Sequence, residues 1–439
     1  MNNTNKFNSL NIITLGCPKN IVDSEKIAGT LKKYGINVFL EDSSQFHDVI
    51  LVNTCGFIND AKEESIDTIL QCIKAKEEGK VKKIIVFGCL AERYMKELKE
   101  ELTEVDEFYG VYDFQKIIKT ITGYNNDIID NQKHRILSTP SHYAYLKIAD
   151  GCNRRCSFCA IPMFKGKYHS FSLNDLIEES KKLVDIGVKE LIIVAQDITE
   201  YGKDLKKSYG IVDLVDKLSR IDGLEWIRLH YLYPTTTFPY ELIDLMKERK
   251  NICKYIDIPL QHVSNRILSM MKRGHGKNDI INLINNIRNK LPEITIRSSF
   301  IVGFPNEADE DFEELYDFIQ DYKLDRIGVF MYSEEEGTYA QKHYKDNIKN
   351  EIKSARADKL MKLQATISLQ KNNEKIGKIL RVIVDYFDGK YFIGRTEGDS
   401  PEIDNEVLIK KDMKKCHIGN FYTVKITNAT EYDLFGEIV

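Results

Sequence analysis

Short apolar runs alternate with amphipathic stretches along most of this chain of 439 residues. In the first 140 residues, three apolar runs predict β-strands: Asn11–Leu15, Val49–Val52 and Lys83–Phe87. A helix-like stretch follows each run, at about residues 20–34, 60–76 and 92–101. Strands that alternate with helices are typical of a parallel sheet with helices on both faces. Residues 1–140 are therefore predicted to form a doubly wound α/β domain.

The same alternation resumes at residue 141 after a weakly patterned stretch, Asp113–Pro140, that contains Asn125, Asn126 and Asn131 and is interpreted as a linker. Six apolar runs are predicted strands, at Tyr145–Ala149, Glu190–Ala195, Trp226–Tyr233, Tyr255–Pro259, Thr295–Val302 and Arg326–Met331. An amphipathic helix is predicted over Ser172–Ile186, with Ser172 and Asp175 as a capping pair. Six βα units are too few for a closed eight-stranded barrel. We therefore expect a separate α/β domain at residues 141–371.

The pattern of apolar residues changes towards the end of the chain, where a long helix is followed by short β-strands. Asp346–Lys375 reads as a long charged helix that packs Leu360, Leu363 and Ile367 and the neighbouring Ile352 and Ala355 on one face. Short β-rich runs follow, broken by polar turns, at Leu380–Tyr386, Tyr391–Gly394, Val407–Ile409 and Tyr422–Ile426. Residues 372–439 are therefore predicted to form a small β-barrel.

Composition places the chain among ordinary globular proteins, with 42% hydrophobic and 30% charged residues. No apolar run approaches the roughly 18 residues that span a bilayer, so no membrane role is expected. The net charge is 63 − 67 = −4, which gives the whole chain no bulk attraction for nucleic acid. Nine cysteines are too few for a disulfide scaffold in a chain of this length and favour a reducing, cytoplasmic location.

Three cysteines lie close together after the first strand of the second domain. Cys152, Cys156 and Cys159 have three residues between the first pair and two between the second. Three thiolates from one loop suit a 4Fe–4S cluster and leave one iron without a protein ligand. Zinc would require a fourth ligand, and His169, ten residues beyond Cys159, fits the usual spacing poorly. Three buried, inert thiols are the alternative interpretation.

A second group of three cysteines is distant in sequence. Cys17, Cys55 and Cys89 each follow one of the three predicted strands of the first domain. Because parallel strands place their carboxyl ends at one edge of a sheet, where ligands bind, we expect these thiols to gather there. The alternative is that small apolar cysteines fill tight strand ends. Cys72, Cys253 and Cys416 have no partner at ligand spacing and are interpreted as core residues.

The spacing Cys152, Cys156 and Cys159, with Phe158 before the last cysteine, resembles the signature of radical S-adenosylmethionine enzymes. That resemblance implies an open partial (βα)6 barrel whose cluster binds S-adenosylmethionine and cleaves it to a 5′-deoxyadenosyl radical. The segments at Gly16–Glu25, Asn53–Ile58 and Phe87–Tyr94 resemble the amino-terminal domain of methylthiotransferases. This second resemblance implies another 4Fe–4S cluster on Cys17, Cys55 and Cys89, where the transferred sulfur is held.

Several strand ends of the predicted barrel are polar or glycine-containing, as expected where a βα barrel faces its ligands. Phe158, Gln196 and Gly303 are the residues we expect beside the cofactor. His262 is a weaker candidate for a general base. The chain also departs from the family pattern: Lys165 stands where the family has arginine, which removes the bidentate fork of a guanidinium. Asn306 replaces a glycine, and asparagine can take the same left-handed backbone.

The resemblance covers nearly the whole chain, and its carboxyl-terminal barrel resembles a TRAM domain. Gly16–Asn20 and Ser400–Asp404 resemble the branch that methylthiolates the β-carbon of an aspartate in ribosomal protein S-twelve, rather than the branch that modifies an adenosine of transfer RNA. Residues 372–439 hold ten basic and twelve acidic residues, 10 − 12 = −2, and Glu402 and Asp404 are expected to add negative charge on the exposed turn Ser400–Asp404. This charge disfavours nucleic acid and favours a basic protein as partner. An electron donor of low potential is a further implied partner. A non-catalytic iron–sulfur carrier would explain the six cysteines but not the polar strand ends.

Overall fold

The computed structural model describes residues 7, 9–124, 135–206, 209–410 and 416–439. The chain divides into two compact units, and each is described separately. The first unit comprises residues 1–139, 150–153 and 160–169, and the second comprises residues 140–149, 154–159 and 170–439. The predicted linker residues Asn125, Asn126 and Asn131 lie outside the described residues. Within the described ranges, no helix is both long and apolar enough to cross a bilayer.

A parallel five-stranded sheet forms the centre of the first unit, in the order β2-β1-β3-β4-β5. Its strands are β1 Ser9–Thr14, β2 Asn37–Leu40, β3 Val49–Thr54, β4 Lys83–Gly88 and β5 Glu107–Tyr109. Its helices are α1 Pro18–Lys33, α2 Asn59–Glu77, α3 Cys89–Arg93, α4 Met95–Glu101 and α5 Phe114–Thr122. The sequence predicted β1, β3 and β4 but not the edge strands β2 and β5.

Two apolar cores cover the two faces of this sheet because successive strand residues point in opposite directions. Leu51 packs in a core with residues of α1 and α5, and Val52 packs in the other core with residues of α2 and α4. This arrangement confirms the doubly wound prediction. The interpretation of Asp113–Pro140 as a linker is wrong at its start, because Ile117 and Ile121 of α5 are buried in the first core.

A second parallel sheet, in the second unit, has six strands in the order β13-β12-β11-β10-β9-β6. They are β6 Tyr143–Lys147, β9 Glu190–Val194, β10 Trp226–Leu229, β11 Ile252–Asp257, β12 Thr295–Val302 and β13 Arg326–Met331. All six predicted strands are therefore present, as an open sheet with its carboxyl ends at one edge. Between β6 and β9 the sequence forms two further strands of two residues each, β7 Ala149–Asp150 and β8 His169–Ser170.

The remaining helices connect and flank these strands: α6 Ile161–Lys165, α7 Leu173–Asp185, the short 3-10 helix Ile198–Glu200, α8 Ile211–Leu218, α9 Glu241–Glu248, α10 Asn265–Met270, α11 Lys277–Lys290, α12 Asp309–Tyr322, α13 Tyr339–His343 and α14 Asn350–Asn373. Helix α7 begins at the predicted place, after Ser172. The predicted capping pair is wrong, since the Ser172 side chain makes no capping hydrogen bond.

Helix α14 packs against the second sheet through a largely polar face. Lys353 donates to the Tyr332 carbonyl oxygen at 3.0 Å, and Arg356 binds Glu307 at 2.8 Å. Leu360 and Ile367 are buried as predicted, whereas Ile352 is exposed. The predicted apolar face is therefore only partly correct, because ion pairs allow charged side chains to occupy the buried positions.

Four antiparallel pairings and one parallel pairing, between β16 and β18, close the last five strands into a barrel in the order β14-β15-β16-β18-β17. The strands are β14 Ile379–Phe387, β15 Tyr391–Thr396, β16 Glu406–Lys410, β17 Phe421–Ala429 and β18 Asp433–Ile438. The small β-barrel is thus confirmed, with one strand, β18, that the sequence did not predict.

Buried charge pairs join this barrel to the amino-terminal halves of the strands in the six-stranded sheet. Arg326, the first residue of β13, donates to Asp399 at 2.7 Å, and Arg297 of β12 lies 3.4 Å from Asp404. Tyr255 also donates its hydroxyl hydrogen to Asp404, at 2.8 Å. The barrel therefore lies at the end of the sheet opposite to the carboxyl ends of its strands.

The acidic turn Ser400–Asp404 is consequently not free to attract a basic partner, and that interpretation of the sequence is wrong for Asp404. The Asp404 side chain is 1% exposed. Glu402 is exposed but accepts a hydrogen bond from the Tyr143 hydroxyl at 3.1 Å. These acids serve contacts within the chain.

Candidate functional site

The first cysteine group lies at the carboxyl edge of the three central strands of the first sheet. Cys17 is the residue before α1, Cys55 directly follows β3, and Cys89 begins α3. Because β1, β3 and β4 are neighbours in register, the three cysteines come to the same edge. The predicted gathering of these three residues is therefore present in the fold.

Close backbone approach at this edge requires glycine. Gly16 has a φ of +92°, and a Cβ atom at this position would lie 2.8 Å from the Cys55 sulfur. Asn20 fixes the edge from α1, since its side-chain amide donates to the Leu15 carbonyl oxygen at 2.9 Å and its Oδ1 lies 4.0 Å from the Cys89 sulfur. The donor set, three thiols around a glycine-lined approach, fits an iron–sulfur cluster with one open iron.

Burial dominates the electrostatics of these thiols. It raises the pKa of Cys89 to about 12 and also raises the pKa of Cys55. Thiols of this kind are protonated until a metal displaces the proton. Metal binding at this edge is therefore expected to release protons.

A buried lysine within the first unit faces the same cysteines. The Lys165 ammonium lies 3.8 Å from Asp150 and 3.9 Å from Asp23. Burial alone would lower the pKa of Lys165, but the nearby Asp150, Cys89 and Asp23 raise it, so the side chain is a cation. This places the lysine that replaces the family's arginine beside the thiols of the first group.

The second cysteine group lies in the loop that follows β7. Cys152, Cys156 and Cys159 are all partly exposed, so the alternative of three buried, inert thiols is wrong. The Cys159 amide donates to the Cys156 carbonyl oxygen at 3.2 Å, which closes a tight turn. Among the described residues, no group of three His, Cys, Asp or Glu side chains is arranged to hold a single metal ion.

Arg273 and Tyr233 contact Cys156, and Arg154 packs against the same tyrosine ring. Arg273 Nη1 donates to the Cys156 sulfur at 3.3 Å, and its guanidinium lies 4.2 Å from the centre of the Tyr233 ring. Arg154 lies 4.0 Å from the same ring and pairs with Asp197 at 2.9 Å. Arg273 and Tyr233 could not be identified from the sequence, because no local pattern around Arg273 shows that it faces a loop more than one hundred residues earlier.

The other residues predicted beside the cofactor have different environments. The Gln196 side-chain oxygen is buried and has no hydrogen-bond partner among the residues described here, as expected of a group that faces a ligand. Phe158 packs in an apolar cluster with Phe304. Gly303 has a φ of +69°, and a Cβ atom there would lie 2.3 Å from Cγ of Lys353, so helix packing already explains this glycine.

His262 is unsuited to proton transfer. It is fully buried, and its Nδ1 accepts a hydrogen bond from the Ser264 amide at 3.0 Å. Burial lowers the pKa of His262 to about 3, so its role is to cap the turn after β11. Asn306 has a φ of +64°, which confirms the predicted left-handed turn.

The three remaining cysteines are core residues, as predicted. Cys72 and Cys416 are buried in the apolar cores of the first unit and of the small barrel. Cys253 is fully buried beside Trp226 and Tyr255.

Comparisons with sequence families match three parts of the chain. Residues 9–110 match the uncharacterized protein family UPF0004, residues 146–319 match the Radical SAM superfamily, and residues 376–439 match the TRAM domain.

Curated relatives match over nearly the full length. The ribosomal protein uS12 methylthiotransferase RimO of Phocaeicola vulgatus is 48% identical over 435 residues, which cover 99% of this chain and 100% of the relative. The protein of the same name from Cytophaga hutchinsonii is 46% identical over 436 residues, which cover 99% of each chain.

Among solved structures, the radical S-adenosylmethionine methyltransferase TsrM of Kitasatospora setae, bound to tryptophan and an S-adenosylmethionine analogue, superposes with a TM-score of 0.55. The identity is 14%, with 73% of this chain and 72% of that chain covered. This likeness supports the fold.

Proposed function

The chain belongs to the family of ribosomal protein uS12 methylthiotransferases, and we propose that it transfers a methylthio group to the β-carbon of an aspartate in protein uS12, which is protein S-twelve of the small ribosomal subunit. The observation that carries the proposal is the full-length identity of 48% to a relative of that name, together with the two cysteine groups. Attack on an unactivated C–H bond requires radical chemistry, since no side-chain base removes such a proton at neutral pH.

The proposal assigns one 4Fe–4S cluster to each cysteine group. Cys17, Cys55 and Cys89 would hold the first, and the loop cysteines Cys152, Cys156 and Cys159 would hold the second. When bound, the first cluster would carry the sulfur for transfer and the second would supply the electron that cleaves S-adenosylmethionine. The neutral thiols of Cys55 and Cys89 must lose their protons to bind iron, and Lys165 supplies a compensating positive charge near Cys89.

Three regions would divide the work: residues 1–140 hold the first cluster, residues 141–371 hold the second cluster and the cofactor, and residues 372–439 form the TRAM-like barrel. In the second region Gln196 would offer the cofactor a buried side-chain oxygen that has no partner among the described residues, and Phe158 and Gly303 would lie near the cofactor. A reductant of low potential in a reducing cytoplasm would complete the reaction.

The assignment of the clusters is tested by iron content and cofactor cleavage. Protein reconstituted without oxygen should hold about eight irons per chain, since each cluster contains four. Replacing Cys17, Cys55 and Cys89 together by Ala should halve the iron and preserve 5′-deoxyadenosine formation, whereas Cys156→Ala should abolish that product. Loss of cofactor cleavage in the triple variant would contradict this division.

The acceptor is tested with the reconstituted chain, a strong reductant and S-adenosylmethionine. Ribosomal protein uS12 should gain the mass of one methylthio group in place of hydrogen, on a single aspartate. Transfer RNA in the same reaction should contain no methylthioadenosine. Modified transfer RNA with unmodified uS12 would overturn the proposed acceptor and leave the radical chemistry in place.

A further inference from the structure

The guanidinium of Arg273 occupies an unusual electrostatic position in the second unit. Its side chain is 6% exposed, and no carboxylate pairs with it among the residues that the structure describes. A buried cation without an anionic partner is strongly destabilising. The ionisable partner that it does contact is the sulfur of Cys156, at 3.3 Å.

Several contacts hold the guanidinium in place. Nη2 donates to the Pro259 carbonyl oxygen at 2.6 Å, and the Tyr233 hydroxyl donates to the Arg273 carbonyl oxygen at 2.6 Å. The centre of the Tyr233 ring lies 4.0 Å from the Arg154 guanidinium and 4.2 Å from that of Arg273. These contacts leave Nη1 directed at the thiol.

The neighbouring arginine has a different charge balance. Arg154 pairs with Asp197 at 2.9 Å and with Glu200 at 2.8 Å, so two carboxylates neutralise it. The cysteine loop is also tied to the segment that carries Arg273, because the Ser157 amide donates to the Met271 carbonyl oxygen at 2.9 Å. The positive charge directed at Cys156 therefore comes from Arg273.

We propose that Arg273 is a positioning residue whose hydrogen bond to the Cys156 sulfur raises the reduction potential of the cluster held by the loop cysteines. This inference rests on the proposed function. Reduction adds one electron, and hence one negative charge, to a cluster, and a positive hydrogen-bond donor on a ligand sulfur stabilises that more negative state. The Tyr233 ring packs against the Arg273 guanidinium, and the Tyr233 side chain also interacts directly with Cys156.

The test is a redox titration of the reconstituted holoenzyme, followed by electron paramagnetic resonance. The signal that changes on addition of S-adenosylmethionine identifies the relevant cluster. Arg273→Met should move its midpoint potential to a more negative value and alter its g-values. Arg273→Lys, which keeps the charge but loses the planar fork, should give an intermediate potential. Arg220→Met removes an exposed arginine paired with Asp216 and should leave the potential unchanged.

Arg273 with a purely structural role would lower the amount of cluster bound but leave the potential of the remaining cluster unaltered. If Arg273→Met binds too little iron to titrate, Arg273→Lys decides, and a wild-type potential in that variant would overturn the inference. Unchanged potentials in variants with full iron would also overturn it and leave the proposed function intact. A wild-type chain without a cluster that responds to S-adenosylmethionine would refute both.

Discussion

The ion pair between Arg326 and Asp399 is one of the buried contacts that attach the small barrel to the six-stranded sheet. The two side chains are 8% and 1% exposed, and Asp399 also accepts a hydrogen bond from the Thr396 hydroxyl at 2.6 Å. Asp399→Ala would leave the guanidinium of Arg326 buried without a carboxylate, at a cost of about 3–5 kcal/mol. Since 1.4 kcal/mol is a factor of about ten, the population in which the barrel has opened should rise about 140-fold to 3,700-fold.

Hydrogen–deuterium exchange of the amides in β14 and β15 measures this opening, with the sheet of the first unit as an internal reference. Glu437→Ala is the matched control, because Glu437 belongs to the same barrel but pairs with Lys410 on the exposed surface, where such pairs contribute about 0–1 kcal/mol. The double variant Arg326→Met with Asp399→Leu removes both charges and should restore most of the protection. Equal exchange in Asp399→Ala and Glu437→Ala would refute the reasoning.

Three further changes test other parts of the fold. Burial lowers the pKa of His262 to about 3, against about 6.5 in the unfolded chain. The unfolded chain therefore binds more protons as the pH falls, and the free energy of unfolding declines below about pH 6.5. At pH 5 this decline is about 2 kcal/mol. Urea unfolding of His262→Gln at pH 7 and pH 5 should lack this decline, and an unchanged pH dependence would contradict the burial argument. Gly303→Ala combines a positive φ with a clash against Lys353. It should destabilise the fold more than Gly377→Ala, which has a φ of +84° but no atom near the added Cβ and should cost about 1–2 kcal/mol. Equal urea midpoints for the two variants would contradict the packing role of Gly303. Lys165→Met removes the buried cation and should lower the free energy of unfolding in urea by about 3–5 kcal/mol. It should also lower the iron bound by the first cysteine group, whereas Lys165→Arg should keep both the stability and the iron.

Strands buried on both faces were the part of the fold that the sequence predicted well. β3 and β4 are continuous apolar runs, and their side chains fill both cores of the first unit. The edge strand β2 is four residues long and partly exposed, and β5 has three residues, so neither has a pattern that distinguishes it from a loop. The first cysteine group was predictable because each of its thiols follows a strand, and the second because its three cysteines lie in one short loop.

Contacts between residues distant in the sequence explain what could not be predicted. The polar residues Lys353 and Arg356 occupy the buried face of α14 because Tyr332 and Glu307 supply their partners, and no local pattern reveals those partners. The same holds for Asp404, which appeared as surface charge in the sequence and is a buried partner of Arg297 in the structure.

The buried ion pairs between the barrel and the six-stranded sheet make the barrel difficult to exchange for that of a relative. A chimera that takes residues 372–439 from a relative inherits acids that must meet Arg297 and Arg326 in register, together with the edge-to-face contact of Phe421 on Trp226. One mismatched position would bury a lone charge, whereas a substitution elsewhere on the barrel surface would be tolerated. During divergence, the arginines of the sheet and the acids of the barrel are therefore expected to change together or not at all.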